Sequence, residues 1–461
     1  MSASASSGAV REESIRKVAL ASFIGTAIEW YDYFLFGTAA ALVFGPLFFP
    51  EFSPLAGILA SFATFAVGFF FRPLGGIIFG HFGDRVGRKA MLVTTLMIMG
   101  VATFLIGFLP TYQQIGVWAP ALLVALRCFQ GLGVGGEWGG AILMAVEHSP
   151  RGKRGFYGSW PQIGVPAGLL LGTGAVYLFA LLPEEQFLAW GWRIPFLLSA
   201  VMVGIGLYIR LKILESPAFQ QVQQSGTQAR MPIVDVVRVY PKQVLIAMGL
   251  RVAENGSFYV FSVFVLTYVT QQLGLPNTLA LLGVMIASFI ELFTIPFFGA
   301  LTDRVGRKPV YMFGAVFSLV FAFPFFWLVN TGATILIWLA IVLALVVGHA
   351  AMYGVQGAFF SELFGTRVRY SGASLGYQLA SVFAGGLSPL IAVALLGAFD
   401  SYVPVAIYLG FMALITIAAV YFATESYEDD IEATHAAERK LIGEAGGSTD
   451  GSTTEAGPRV K

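Results

Sequence analysis

Gly80-His81-Phe82-Gly83-Asp84-Arg85-Val86-Gly87-Arg88-Lys89 and Gly299-Ala300-Leu301-Thr302-Asp303-Arg304-Val305-Gly306-Arg307-Lys308 are two copies of one short basic loop, with Asp84 and Asp303 219 residues apart. Each copy follows an apolar stretch of membrane-spanning length and precedes another. One copy alone would read as a basic turn that only sets topology. Two copies at matched positions make the chain a pair of related halves.

Composition fits that reading. The 461 residues are 57% hydrophobic and 11% charged, with a mean hydropathy of +0.77, whereas a soluble domain carries roughly 25% charged residues. A bilayer core of about 30 Å needs some 20 apolar residues in a helix. Twelve stretches qualify, at about 18–46, 56–80, 90–109, 118–147, 157–181, 191–213, 243–270, 279–301, 309–329, 334–361, 371–397 and 403–424. Ten-residue alternating strands are absent, which excludes a membrane barrel. The net charge of +1 gives no footprint for nucleic acid. The single cysteine, Cys128, excludes an intrachain disulfide. The span after the polar first 17 residues is too long for a signal peptide and lacks a cleavage site, so helix 1 is expected to be retained.

The expected organisation is a tail (1–17), a six-helix bundle (18–213), a Gln-rich linker (214–242), a second six-helix bundle (243–424) and an acidic Gly/Ser/Thr-rich tail (425–461). All but Arg72, Arg127, Arg193 and Arg251 of the 27 Lys and Arg residues fall in the tails or in alternate loops. By the positive-inside bias both termini are cytosolic, in a plasma or bacterial inner membrane. Glu147 and Glu362 repeat at an offset of 215, as do Arg154 and Arg369, while Glu29 and Asp32 match Arg251 and Glu254 at 222. Parallel repeats of this kind place a cavity between the halves near the midplane.

Ionisable residues at bilayer depth cost about 2.5–3.5 kcal/mol on insertion scales, so they face a cavity or a partner. The embedded ones are Glu29, Asp32, Arg72, Arg127, Glu137, Arg251, Glu254 and Glu291. Permanent structural pairing is an even alternative for Arg72, Arg251 and Glu291; Arg251 and Glu254, three apart, can pair with each other. Asp32 and Arg127 are expected to form a proton switch, with Glu29 and Glu137 as further proton-coupling candidates. A guanidinium keeps a nearby carboxylate ionised; once it is drawn away, burial favours the protonated form. Arg127, Tyr31, Gln130, Arg251, Glu254, Asn255, Tyr259, Tyr353, Gln356, Tyr377 and Gln378 are the candidates for a polar substrate cavity, though each alone can equally be a packed residue. The run Gly131-Leu132-Gly133-Val134-Gly135-Gly136-Glu137-Trp138-Gly139-Gly140 satisfies a dinucleotide pattern but lies inside an apolar helix with no strand before it, so it reads as a close-packing surface. No phosphate loop, metal spacing or nucleophile elbow is present, and neither cofactor nor enzymatic activity is expected.

The two loops resemble the signature loop of the major facilitator superfamily of transporters. Glu29-Trp30-Tyr31-Asp32-Tyr33-Phe34, Phe71-Arg72-Pro73-Leu74-Gly75, Arg127-Cys128-Phe129-Gln130-Gly131, Glu215-Ser216-Pro217-Ala218-Phe219, Arg251-Val252-Ala253-Glu254-Asn255 and Thr366-Arg367-Val368-Arg369-Tyr370-Ser371-Gly372-Ala373-Ser374 are similar to its metabolite:proton symporter branch. That resemblance implies an all-α fold of twelve transmembrane helices in two pseudo-symmetric bundles. It also implies proton-coupled import, by a monomer in the lipid bilayer, of a small organic acid or zwitterion such as shikimate, oxoglutarate, citrate, proline or betaine. A uniporter or exchanger of the same fold, or a non-transporting sensor, is the alternative. Gly164-Val165-Pro166-Ala167-Gly168 only partly matches the exchanger motif, and the tail lacks the heptads of osmosensing members. The resemblance assigns gating to Gly80, Asp84, Arg85, Gly87, Arg88 and Lys89, with Glu147 and Arg154, and to Asp303, Arg304, Arg307, Glu362 and Arg369 in the second half.

Overall fold

The computed structural model describes residues 2–86, 88–135, 138, 142, 145–146, 149–150, 152–212, 236, 238, 240–364 and 369–425. Gly87, Glu137 and Glu147 lie outside these. For Gly80, Asp84, Arg85, Arg88, Lys89 and Arg369 the helical backbone alone is described.

The described residues are almost wholly helical, and twelve long helices take up the twelve expected stretches. They are α1 (Ser2–Leu42), α2 (Pro54–Val86), α3 (Arg88–Phe108), α4 (Trp118–Gly135), α5 (Arg154–Ala180), α6 (Arg193–Lys212), α7 (Pro241–Gln272), α8 (Asn277–Val305), α9 (Arg307–Val329), α10 (Thr334–Leu363), α11 (Gly372–Phe399) and α12 (Val403–Phe422). Among the described residues nine are long and apolar enough to span a membrane outright; α6 joins Glu184–Gly191 across a 42° bend, and Val93–Phe108 of α3 is shorter.

Packing repeats between the halves. In the first, α1 packs on α5, α2 on α4 and α3 on α6; in the second, α7 packs on α11, α8 on α10 and α9 on α12. The halves meet where α5 lies on α8 and α10, and where α2 lies on α11. α7 is almost wholly buried. The outer helices turn large apolar side chains outward, among them Leu105 of α3, Ile205 of α6, Val320 of α9 and Phe411 of α12. A solvent of lipid makes such a girdle stable.

Small residues set the closest approaches. A Cβ on Gly131 would run into the Gly68 carbonyl, and one on Gly135 into the Arg72 carbonyl, so α4 and α2 touch backbone to backbone. α5 meets α8 in the same way, at Gly155 and Gly299. Pro161, Pro166, Pro296 and Pro324 lie within continuous helices. Wide π-helical turns occur instead at Val260–Phe264, Leu343–His349 and Ser381–Gly386; such turns frequently mark functional positions.

Candidate functional site

Near the middle of the spans the buried charges form two clusters, one in each half, separated by rings. In the first half Tyr33 of α1 lies between two guanidinium groups, 4.2 Å from Arg72 and 4.1 Å from Arg127. Arg127 also faces Phe36 at 4.3 Å and Phe65 at 4.8 Å. It donates to Gln130 Oε1 at 3.0 Å and to the Phe65 carbonyl at 3.3 Å. Gln130 in turn donates to Thr103 Oγ1 at 2.7 Å.

Asp32 is fully buried against Thr103. The one hydroxyl proton of Thr103 goes to the Met99 carbonyl at 2.9 Å, so neither Asp32 oxygen receives a hydrogen bond from the described residues. The ion pair expected between Asp32 and Arg127 is therefore not made in this conformation. The rings of Tyr33, Phe36 and Phe65 and the Gln130 amide occupy the guanidinium instead, and Gln130 and Thr103 stand between the two groups. Glu29 is buried on the same helix. The hydroxyl of Tyr31 donates to the Pro195 carbonyl at 2.6 Å.

The second-half cluster is a continuous ionic network. Arg251 donates to Glu254 at 2.5 Å, to Gln356 Oε1 at 2.7 Å, to Ser381 Oγ at 3.2 Å and to Asn255 Oδ1 at 3.4 Å. Its guanidinium lies 3.4 Å from the Tyr377 ring centre, and Tyr377 stacks on Trp138 at 3.7 Å. Gln356 donates to Glu254 Oε2 at 3.1 Å and to the Tyr311 hydroxyl at 3.2 Å. His349 joins the network through both ring nitrogens, Nδ1 at 2.6 Å from Glu291 and Nε2 at 3.2 Å from Glu254. Tyr353 stacks on His349 at 5.0 Å. His349 is absent from the sequence-derived candidates. Its signal was available, as a titratable side chain inside the apolar run Val346-Val347-Gly348-His349-Ala350.

Between the clusters, Tyr259 packs on Phe65 at 5.7 Å and Phe69 at 5.3 Å, and Phe34 packs on Phe258 at 5.6 Å. These rings separate the two clusters, and the charged side chains of both are buried. On the face that carries the 8–9 loop, the halves are fastened together. Asp303 accepts the Gly155 and Phe156 amides, at 2.8 and 2.9 Å, capping α5 from the other half. Arg307 binds Asp303 at 2.9 Å and grips Glu362 through two nitrogens at 3.0 and 3.2 Å. Arg304 is exposed. Gln378 donates to the Gly135 carbonyl at 3.2 Å, tying α11 to α4. At the opposite face, a vestibule of about 770 Å³ opens between the ends of the halves, reaching Ala41, Phe49, Leu182 and Thr270.

Residues 22–389 match the model of the Major Facilitator Superfamily. The chain is 47% identical to the shikimate transporter of Escherichia coli K12 over 398 residues, covering 86% of this chain and 91% of that protein. It is 35% identical to the proline/betaine transporter of the same strain over 416 residues, covering 88% and 83%. Its fold is similar to that of the proton:xylose symporter XylE bound to 6-bromo-6-deoxy-D-glucose, with a TM-score of 0.74, 18% identity and coverage of 92% and 99%. The chain belongs to the Major Facilitator Superfamily: it is a multi-pass membrane transporter of two six-helix bundles and not an enzyme.

Proposed function

We propose that the protein imports a small metabolite bearing a carboxylate, together with protons, by alternating access. The single observation that carries this reading is the set of three buried guanidinium groups, Arg72, Arg127 and Arg251, at the junction of the halves. Among the described residues neither Arg72 nor Arg127 joins an ion pair, whereas Arg251 pairs with Glu254. Unpaired cations at membrane depth are stabilised by rings here, and an anionic substrate would complement them. Similarity to the shikimate transporter supports the same choice, since shikimate carries a carboxylate. The halves, 18–213 and 243–424, act as the rocking units of a monomer in the bilayer. The positive-inside bias supports a cytosolic placement of both termini, and hence of the Asp303 seal.

In this scheme Asp32 is the first half's proton carrier. An unsolvated carboxylate without hydrogen bonds is stable only when protonated or paired. Protonation frees Asp32 from the need for Arg127, which remains on its rings; deprotonation draws the two together. The test is uptake of shikimate, oxoglutarate, citrate, proline or betaine into proteoliposomes. Asp32→Asn should abolish accumulation driven by a pH gradient while exchange persists. Unchanged gradient-driven accumulation in that variant would reject Asp32 as the carrier. Wild-type uptake that equilibrates and never accumulates would favour a uniporter.

A further inference from the structure

We infer that the Glu254–His349–Glu291 trio is a second proton-carrying site, and that an anionic substrate loads it by taking Arg251 away from Glu254. The inference rests on the transport reading above and assigns it a coupling device in the second half.

The first argument is a count of hydrogens. Both imidazole nitrogens face carboxylate oxygens, Nδ1 facing Glu291 and Nε2 facing Glu254. A neutral imidazole has one N–H and satisfies one such contact. The other contact needs a proton, held either by the ring as imidazolium or by one of the carboxyl groups. The trio therefore contains one proton more than a neutral imidazole and two carboxylates would. Position suits this role, because Glu291 is the middle residue of Asn277–Val305 and His349 lies at the middle of Thr334–Leu363. The trio sits at half-span and is fully buried, and Glu291 Oε2 has no hydrogen-bond partner among the described residues.

The second argument is charge balance. With the extra proton in place, Arg251, Glu254, His349 and Glu291 sum to zero. When a substrate carboxylate binds Arg251, the bound pair is neutral, but the Arg251–Glu254 contact is broken and the trio is left with one net negative charge. A buried uncompensated charge is costly. One proton taken up by the trio restores neutrality: the Glu254 carboxylate becomes a carboxylic acid, still held by Gln356 and His349. On release of the substrate, Arg251 returns to Glu254 and the proton is expelled. One proton thus accompanies the substrate carboxylate that Arg251 binds. The other titratable groups that face the network are Tyr259 of α7, Tyr311 of α9, Tyr353 of α10 and Tyr377 of α11, with Arg72 of α2 facing Tyr377 from the first half. The hydroxyl of Tyr311 is engaged by Gln356 and the Leu250 carbonyl. Arg251 is the mobile partner because its remaining contacts, to Gln356, Ser381, Asn255 and the Tyr377 ring, are to neutral groups.

Two measurements test the inference. Purified protein in weakly buffered detergent, with a pH indicator, is mixed with shikimate, oxoglutarate or citrate, and separately with betaine. We expect one proton taken up by the trio per substrate molecule bound in the wild type, and that proton missing in Glu254→Gln. In proteoliposomes Glu254→Gln should lower the accumulation driven by the pH gradient to the part coupled through Asp32. A wild type that accumulates substrate while Glu254→Gln accumulates equally overturns the inference and leaves the transport reading intact. A wild type that moves none of the probes overturns the transport reading. The second measurement needs no substrate: 15N spectra of histidine and the infrared carboxylic-acid band of the purified protein. An imidazolium at His349, or an acid band that Glu254→Gln or Glu291→Gln removes, supports the extra proton; a wild type with neither overturns it.

Discussion

The carboxylate of Asp303 accepts the amide of Gly155 at 2.8 Å, so the second loop copy caps a helix that belongs to the other half. The cap also accepts the Phe156 amide and sits where a helix N-terminus favours negative charge. It exists only while the halves are closed on this face, so it contributes to the closed state and nothing to the open one. Hydrogen bonds to a charged group contribute about 1.5–3 kcal/mol each. Asp303→Asn, which keeps one acceptor and loses the charge, should shift the equilibrium toward the open state by about 1–2 kcal/mol, a factor of roughly 5–30. The check is thiol labelling of a Ser159→Cys probe in a Cys128→Ser background. Labelling no faster in Asp303→Asn would show that the seal is held elsewhere.

Gly131 is where α4 touches the Gly68 carbonyl of α2. Gly131→Ala forces the helices apart, and overpacking of this kind costs about 1–3 kcal/mol. Gly204 of α6 has nothing within 4 Å of an added Cβ, so Gly204→Ala is the matched control. A lower melting temperature in detergent is expected for the first and no loss for the second. Equal melting for both would remove the close approach as a determinant of stability.

The hydroxyl of Tyr31 is already committed to the Pro195 carbonyl, which joins α1 to α6 within one half. Tyr31→Phe should cost about 1 kcal/mol of stability and leave the apparent affinity for substrate unchanged. A clear rise in KM with unchanged melting would instead place this hydroxyl on the substrate.

Gly306 turns the chain between α8 and α9 at φ +95°, a region L side chains rarely enter, and a Cβ there would also meet the Glu425 carboxylate. Gly306→Ala should destabilise the protein by about 1–3 kcal/mol, read as a fall in melting temperature. A wild-type melting curve would mean that the turn relaxes without cost.

Hydropathy and length made the twelve helices and their pairing into halves legible, because a bilayer leaves a long apolar segment few alternatives. The i, i+3 spacing of Arg251 and Glu254 likewise anticipated their contact. The state of Arg127 was not legible. Whether it binds Asp32 depends on competition from Tyr33, Phe36 and Phe65, and sequence presents those rings only as packing. His349 was missed because its partners come from other helices, 58 and 95 residues away, with no spacing to announce them. The wide turns at Leu343–His349 and Ser381–Gly386 contain no proline, so no local residue forecasts them.

Beyond α12, the Glu425 side chain accepts the amides of Arg307 and Lys308 at 3.0 and 2.8 Å, while Lys308 reaches back to the Ala423 and Tyr421 carbonyls at 2.7 and 3.1 Å. Glu425, three residues past the end of α12, is thus a buckle between two helix termini. A shortened version of the protein for crystallisation or fusion should retain Glu425, since cutting ahead of it would strip the start of α9 of its acceptors and loosen the same edge that Arg307 and Glu362 hold.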